Sequence, residues 1–223
     1  MKKFIIFIIA VLSYSFSMQA EYIAKYGWFG TIAKATGYFE KNETDYLIKT
    51  YSKTTKFIDF QNYHISKGRI INGILVPLTY QNIIIRGNDK YILTYNFDYL
   101  HKKIYKTKYK NRKFVYKKVL DYFADNDILS LYFNLPLIMK SDHQTFKAIG
   151  GEKHTGRIDV DILQKGKITK IKANLYNKIF AGDKGVLYLD INTSNWVTLK
   201  GMVKNVLKIG DLKGKLVYFK QVP

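Results

Sequence analysis

The sequence predicts a mostly antiparallel β fold, and two observations support that prediction. Apolar and polar residues alternate with period two in many short segments, most clearly through Tyr91, Leu93, Tyr95, Phe97 and Tyr99. Short turn signals separate these segments, and no linker rich in Pro, Gly or Ser divides the chain. Such alternation is typical of strands with one buried face, and many short strands favour a barrel or a sandwich. We therefore expect one β-rich domain over residues 21–223.

The predicted strands follow one another along most of the chain. They are Tyr22–Trp28, Asp45–Lys56, Tyr63–Ser66, Arg69–Leu75, Tyr91–Tyr99, Ile158–Leu163, Ile168–Ala173, Val186–Ile191, Trp196–Val203 and Lys215–Phe219. Lys67-Gly68 and Lys165-Gly166 are predicted to form turns between neighbouring strands, because glycine readily adopts the backbone conformations that tight turns need.

One segment, residues 119–138, departs from the strand pattern. Asp127 precedes an apolar run, and its carboxylate can cap a short helix. The apolar positions of that helix are Ile128, Leu131, Tyr132 and Leu135. Pro136 has no backbone N–H to donate, so we expect the helix to end there.

The basic stretch 101–118 interleaves lysines with Tyr and Phe. We expect a hairpin with apolar side chains inward, lysines outward and a turn near Lys110-Asn111-Arg112. Stacking of nucleic-acid bases between the aromatic residues is the alternative; export, predicted below, argues against nucleic acid as a partner. The candidate cations for the rim of an anion-binding site are Lys102, Lys103, Lys106, Lys108, Lys110, Arg112 and Lys113.

Residues 1–20 have the parts of a secretory signal peptide. Lys2 and Lys3 precede an apolar segment from Phe4 to Leu12, which is shorter than the roughly 20 residues of a membrane-spanning helix. Cleavage is expected after Ala20, with cleavage after Ser17 or an uncleaved anchor as alternatives. We expect a periplasmic protein with no transmembrane segment after cleavage. It has no cysteine that could carry a lipoprotein lipid.

The chain is strongly basic, with 37 Lys and Arg against 17 Asp and Glu and a formal net charge of +20. Such a charge favours attraction to polyanions such as anionic lipids. The abundance of Lys, Ile, Asn and Tyr is also what an AT-rich genome produces, and that explanation is preferred over dedicated phosphate recognition, which tends to use Arg.

Residues that could perform catalysis are scattered. The chain has four His (His64, His101, His143 and His154) and no Cys, and it lacks the spacing of known zinc or nucleophile motifs. The carboxylate pairs Asp125/Asp127 and Asp159/Asp161 could bind a metal or transfer protons, but helix caps and solvated strand faces explain such pairs more often. We expect no enzymatic activity, no catalytic residue, no metal and no cofactor.

Several short motifs resemble, in the same order, those of an exported bacterial family whose domain has no assigned function. An aromatic strand precedes a G-x-x-x-G-like element at Gly27 and Gly30, and a G-x-x-x-P element spans Gly73–Pro77. An F-D strand follows at Tyr95–Asp98, and a D-x-x-S helix start lies at Asp127–Phe133. Val186–Val197 and Ile209–Leu216 resemble its C-terminal hairpins. The chain departs from the family pattern near Trp196, where a W-x-x-x-D element followed by Pro is common.

The resemblance implies a curved antiparallel sheet that forms an open barrel or half-barrel with one short helix near its mouth. By analogy with periplasmic lipoprotein carriers, such a sheet can hold an acyl chain. We expect the protein to bind or carry a lipid or another anionic amphiphile of the envelope. The alternative is an envelope adaptor that binds a protein partner through sheet edges. The candidate ligand-lining residues are Tyr26, Trp28, Ile48, Tyr95, Phe97, Leu131, Tyr188 and Trp196.

Overall fold

The computed structural model describes residues 16–56, 59–151, 156–176, 185–206 and 210–222. Residues 1–15, which make up most of the predicted signal peptide, and His154 lie outside the described residues. The strands are β1 (Phe16–Tyr26), β2 (Thr31–Lys41), β3 (Asp45–Thr54), β4 (Phe60–Ile71), β5 (Ile74–Arg86), β6 (Asp89–Asp98), β7 (Lys103–Lys110), β8 (Lys113–Val119), β9 (Asn126–Asp127), β10 (His143–Ile149), β11 (Arg157–Gln164), β12 (Ile168–Asn174), β13 (Val186–Asn192), β14 (Val197–Val206) and β15 (Gly210–Val222). The helix α1 spans Ile128–Ile138.

All strands belong to one curved sheet with the order β8-β7-β6-β5-β4-β3-β2-β1-β15-β14-β13-β12-β11-β10-β9. Nearly every neighbour in the sheet is also a neighbour in sequence and pairs antiparallel, whereas β9 pairs parallel with β10. The pairing of β1 with β15 joins the N-terminal and C-terminal series of strands. The sheet is not closed into a barrel. The prediction of a mostly β, open, curved antiparallel sheet with one short helix is therefore confirmed.

The concave face of the sheet surrounds α1, because residues of this helix pack into three separate apolar clusters. Ile128 and Leu129 pack against residues of β5, β6 and β7. Leu131 and Leu135 belong to a cluster formed with β10 to β13, and Phe133 packs against β1, β2 and β3. The sheet buries apolar surface around the helix from several directions, which is the main favourable contribution to folding.

The beginning of α1 is as predicted, and its end is not. Asp127 caps the helix, with its carboxylate accepting from the amides of Leu129 and Ser130. Pro136 lies inside the helix rather than at its end. A proline leaves the carbonyl four residues earlier without a helical donor, and here that carbonyl belongs to Tyr132. The indole Nε1 of Trp196 donates to it at 2.8 Å, so the helix continues beyond the proline.

The predicted turn at Lys67-Gly68 is wrong. Both residues lie inside β4, and the chain reverses instead after Ile71. Gly68 sits at an irregularity in the pairing of β4 with β5, opposite Pro77. A Cβ atom there would lie 2.0 Å from the carbonyl oxygen of Val76. This glycine therefore permits a close approach of two strands rather than a tight turn.

The first hairpin also departs from the prediction. β1 ends at Tyr26, and Gly27–Phe29 form a single 3-10 turn before β2. Gly27 has φ +47 and Gly30 has φ +73, so both adopt backbone conformations that L residues rarely enter. Trp28 consequently leaves the strand face and is 86% exposed, while Tyr26 stays buried.

The basic stretch forms the predicted hairpin, with Asn111 and Arg112 in its turn. The prediction that its apolar side chains point inward is wrong for Phe114 and Val115, which are 60% and 49% exposed. The prediction that all of its lysines point outward is wrong for Lys106. This residue pairs with Tyr95 of β6 and is only 2% exposed, and its Nζ lies 5.2 Å from the centre of the Tyr95 ring. Across the ranges that the structure describes, no helix has the length and apolar character needed to cross a membrane.

Candidate functional site

A partly open cleft of about 280 Å³, here named the helix cleft, lies between α1 and the inner face of the sheet. Strands β1, β2, β3 and β15 form its floor, and α1 and the turn before β14 form its walls. Its lining residues are Met18, Ala20, Tyr22, Gly37, Tyr38, Phe39, Ile48, Thr50, Leu129, Tyr132, Phe133, Trp196, Val197, Thr198 and Phe219.

Small side chains on adjacent strands create the space in the floor of the helix cleft. Ala20 of β1 pairs with Gly37 of β2 on one side and with Phe219 of β15 on the other. Gly37 in turn pairs with Thr50 of β3. A Cβ atom added at Gly37 would meet nothing within 4 Å. The cleft therefore exists because two directly paired positions, 20 and 37, carry almost no side chain.

Aromatic side chains brace the helical wall of the cleft. Phe133 stacks on Phe39 with ring centroids 4.4 Å apart. The Tyr132 hydroxyl donates to the carbonyl of Trp196 at 2.8 Å and lies 3.0 Å from the Thr198 hydroxyl. With the indole bond from Trp196 to the Tyr132 carbonyl, residues 132 and 196 hold each other through two hydrogen bonds. Most polar groups of this wall are thus engaged, leaving an apolar surface toward the cleft.

The helix cleft has a neutral lining, since no Lys, Arg, His, Asp or Glu side chain is found among the described residues that line it. Burial raises the pKa of the Tyr22 hydroxyl to about 12. Burial also raises the pKa of Tyr132 well above its ordinary range. Both hydroxyls therefore stay protonated at neutral pH, and the cleft is suited to an apolar group rather than an ionic one.

A buried polar chain fixes the start of α1 against the sheet. The Ser66 hydroxyl of β4 donates to the Asp127 carboxylate at 2.5 Å, and the Tyr46 hydroxyl of β3 lies 3.0 Å from the Ser66 oxygen. Asp127 and Ser66 are fully buried. Burial raises the pKa of Asp127 to about 6, although hydrogen bonds from Ser66, Ser130 and Leu129 oppose that rise.

A second polar contact fixes the middle of α1. The amide of Asn134 accepts from the Leu75 N–H at 2.8 Å and donates to the Leu75 carbonyl at 2.9 Å. It also donates to the side-chain oxygen of Asn126. Asn134 is fully buried. Because both polar contacts hold α1 against the sheet, the position of the cleft wall is set by hydrogen bonds as well as by packing.

The eight candidate ligand-lining residues occupy different places. Ile48 and Trp196 line the helix cleft. Tyr95 and Phe97 lie in the apolar cluster of β5 to β7, and Leu131 lies in the cluster of β10 to β13. Tyr26 is buried near the first turn without lining the helix cleft, and Trp28 is exposed beside it. Tyr188 belongs to a separate depression that also contains Lys25, Lys200, Lys213 and Lys215.

The candidate cations lie on the hairpin of β7 and β8, at the sheet edge, and none of them lines the helix cleft. Lys108 and Lys110 have their Nζ atoms 5.1 and 5.3 Å from the ring centre of Tyr91. Lys110 also pairs with Asp89 at 2.9 Å. Lys102, Lys103, Arg112 and Lys113 are exposed. The structure therefore places these cations along one sheet edge, separate from the cleft.

Several lining residues were not identified from the sequence. The prediction places Met18 and Ala20 in the signal peptide, although their period-two alternation continues into Tyr22 and is a signal for their position in β1. Gly37, Thr50 and Phe219 come from three strands that are distant in sequence. Their proximity follows from strand order and register, which composition and periodicity do not specify.

The carboxylates and histidines that the structure describes make local contacts. Asp159 accepts from Arg157, Thr145 and Tyr176, and these bonds hold the pKa of its carboxyl far below its usual range. Asp161 contacts His143 and Lys172, which lower its pKa. Burial lowers the pKa of His64 to about 4. Within the described ranges, no three His, Cys, Asp or Glu side chains form a group that could hold a metal ion.

The fold is similar to that of a solved protein from Brucella abortus, described as a beta-barrel-like protein of domain of unknown function DUF1849. The two structures align with a TM-score of 0.54 over 92% of this chain and 98% of the other, at 8% sequence identity. No family model matches the chain, and no curated protein matches it in sequence. The chain thus has the fold of a bacterial domain of unknown function.

Proposed function

We propose that this is an exported, non-enzymatic binding protein that holds the acyl chain of a lipid, or of another anionic amphiphile of the cell envelope, in the helix cleft. The observation that carries the proposal is the cleft itself, which has a volume of about 280 Å³, is apolar and partly open, and lies between a curved sheet and an anchored helix. Small-molecule sites typically begin at roughly 300 Å³. A cleft of this size suits part of one acyl chain, with the rest of the molecule outside.

We propose an amphiphilic ligand because the cleft favours an apolar chain, whereas the basic surface of the protein favours an anionic headgroup. The neutral aromatic lining would take the apolar chain and would exclude a charged headgroup, which is costly to bury unpaired. Without Lys2 and Lys3 the mature chain has 35 Lys and Arg against 17 Asp and Glu, and this formal net charge of +18 would attract an anionic headgroup to the protein surface. That attraction weakens as salt screens it, whereas burial of the chain does not.

Export is the second part of the proposal and rests on the N-terminal sequence. The basic start and the short apolar segment are typical of a secretory signal peptide, and envelope lipids are then the amphiphiles that the protein would meet. Recovery of the chain in the periplasmic fraction of a Gram-negative host tests this part. Recovery only in the cytosol, with Met1 retained, would contradict it.

The edge strand β8 has features that oppose its use as an adaptor surface. Lys113, Lys117 and Lys118 lie on this strand, and its pairing with β7 is irregular between Tyr109 and Lys108. Lysines and bulges on edge strands discourage the addition of another strand. We therefore place lipid binding ahead of strand-mediated binding of a protein partner.

Binding can be tested with 11-(dansylamino)undecanoic acid, a fluorescent fatty-acid analogue, titrated into the purified protein. We expect a dissociation constant in the micromolar range, about −8 kcal/mol. Gly37→Leu puts a side chain into the open floor of the cleft, and we expect it to weaken binding at least roughly tenfold, or about 1.4 kcal/mol. Thr36→Leu is the matched control, because Thr36 is exposed on the opposite face of the same strand.

A salt titration separates the two contributions. Affinity that falls moderately between low and high salt, while staying sensitive to Gly37→Leu, supports a chain in the cleft and a headgroup at a cationic surface. If the affinity for the probe is the same in Gly37→Leu as in the original protein and is lost at high salt, the probe binds only to surface cations and the proposal is wrong.

A further inference from the structure

Cleavage after Ala20, as expected from the sequence, would remove Phe16 to Ala20. These five residues of β1 are nevertheless paired within the sheet. Phe16 to Ala20 pair with Lys41 to Gly37 of β2. Ser17 to Ala20 also pair with Val222 to Phe219 of β15. β1 is the strand that joins the two series of strands, so this segment has a neighbouring strand on both sides along almost all of its length.

Side chains in the same segment are part of the core and of the helix cleft. Met18 and Ala20 are each only 8% exposed, and both line the cleft. The Phe16 ring packs edge-on against Phe39 with centroids 6.0 Å apart, and the Lys41 Nζ lies 5.4 Å from the centre of that ring. If the segment were removed during export, the mature protein would lose all of these contacts.

Cleavage after Ala20 would therefore damage the site proposed above. It would leave β1 with Glu21 to Tyr26 alone, and both irregularities in the pairing of β1 fall in that remaining half. The regularly paired half would be lost. The floor of the cleft would lose Ala20, whose pairing with Gly37 creates its space.

A junction before Phe16 keeps these contacts. Signal peptidases select small residues at positions −3 and −1 relative to the cut. Ser13 and Ser15 satisfy both positions for a cut after Ser15, whereas a cut after Ala20 places Met18 at −3. A cut after Ser17 also has serines at both positions, but it would remove Phe16 and its contact with Phe39.

We propose that signal peptidase cleaves between Ser15 and Phe16, so that the mature protein retains Phe16 to Ala20. Water adds across the Ser15–Phe16 peptide bond, which leaves a carboxylate on Ser15 and an ammonium group on Phe16. Every residue of β1 then stays in the mature sheet. This inference rests on the proposed export, and its test separates the two.

The full chain is expressed in a Gram-negative host, recovered from the periplasmic fraction and analysed by intact mass and N-terminal sequencing. Phe16 as the first residue supports the inference. Glu21 or Met18 as the first residue, in periplasmic material, overturns the inference and leaves export standing. A cytosolic chain that retains Met1 overturns both.

Two variants locate the junction independently. Ser15→Arg places a large cation at −1 of the proposed site, and we expect the precursor to accumulate with Met1 in place. Ser17→Arg is the matched control. Ser17 pairs with Glu40 in β2, and the change lies two residues beyond the proposed cut, so the mature N-terminus should remain Phe16. Accumulation of the Ser17→Arg precursor, or processing of the Ser15→Arg chain to Glu21, would refute the proposed junction.

Discussion

Asp127 offers a quantitative test of how α1 is held against the sheet. Its carboxyl is fully buried, and burial raises its pKa from the usual 3.8 to about 6. Below about pH 4 the group is protonated in both the folded and the unfolded protein, so its full contribution to stability is present. Between pH 4 and 6 the unfolded chain releases the proton more readily than the folded one. The contribution of Asp127 to stability is therefore lost as the pH rises through this window.

The size of this effect follows from the shift. A difference of roughly two pKa units, at 1.36 kcal/mol per unit, corresponds to about 3 kcal/mol between pH 4 and pH 7. Asp127→Asn removes the ionisation and retains an oxygen that can accept from the Leu129 and Ser130 amides. The Ser66 hydroxyl can then accept from the new amide group and donate toward Tyr46. We expect this variant to become more stable relative to the original protein by about 3 kcal/mol as the pH rises from 4 to 7.

Urea unfolding at several pH values, followed by circular dichroism and tryptophan fluorescence, measures this difference. Other shifted groups, such as Asp159, Asp161 and His64, are present in both proteins and cancel in the comparison. Asp125→Asn is the control, because it makes the same substitution at an exposed position two residues away. If the difference in stability between the original protein and Asp127→Asn changes by less than about 0.5 kcal/mol across this pH range, the raised pKa of the Asp127 carboxyl is refuted.

Two further predictions concern close contacts. Gly68→Ala would place a Cβ atom 2.0 Å from the Val76 carbonyl oxygen. We therefore expect the free energy of unfolding, measured with urea, to fall by roughly 1–3 kcal/mol. Gly37→Ala is the uncrowded control, and equal stability of the two variants would contradict the close approach at Gly68. Trp196→Phe leaves the Tyr132 carbonyl without its indole donor and should cost about 1–3 kcal/mol. Trp28→Phe, at an 86% exposed position, should change stability by less than about 0.5 kcal/mol, and equal losses in the two Trp variants would count against the proposed role of Trp196.

The sequence predicts the fold class well because many strands have their own period-two signal, although β2, β10 and most of β5 lie outside the predicted strands. The segment Tyr91–Tyr99 illustrates this: its apolar residues Leu93, Tyr95 and Phe97 are buried in β6. Likewise, Asp127 caps the helix because the capping chemistry is local. Such features depend on neighbours a few residues away, and a sequence pattern contains that information directly.

The errors arise where a distant residue decides the local structure. Glycine at 68 suggests a turn, but its neighbours are Val76 and Pro77 on the adjacent strand, and the approach of that backbone is what requires it. Pro136 suggests a helix end, but the Trp196 indole occupies the carbonyl that the proline leaves free. Neither partner lies within the window in which turn and helix-end rules operate.

The same reasoning explains why charge gives little information about the site. Lysines are expected on solvated faces, yet Lys106 is 2% exposed against Tyr95 on the inner face. The helix cleft owes its shape to the absence of side-chain volume at Ala20 and Gly37, paired across β1 and β2. A sequence shows a large aromatic residue plainly, but it does not show which small residues lie side by side. For that reason the most informative variants fill positions 20 and 37, and the position of the signal-peptide cut decides whether position 20 belongs to the mature protein.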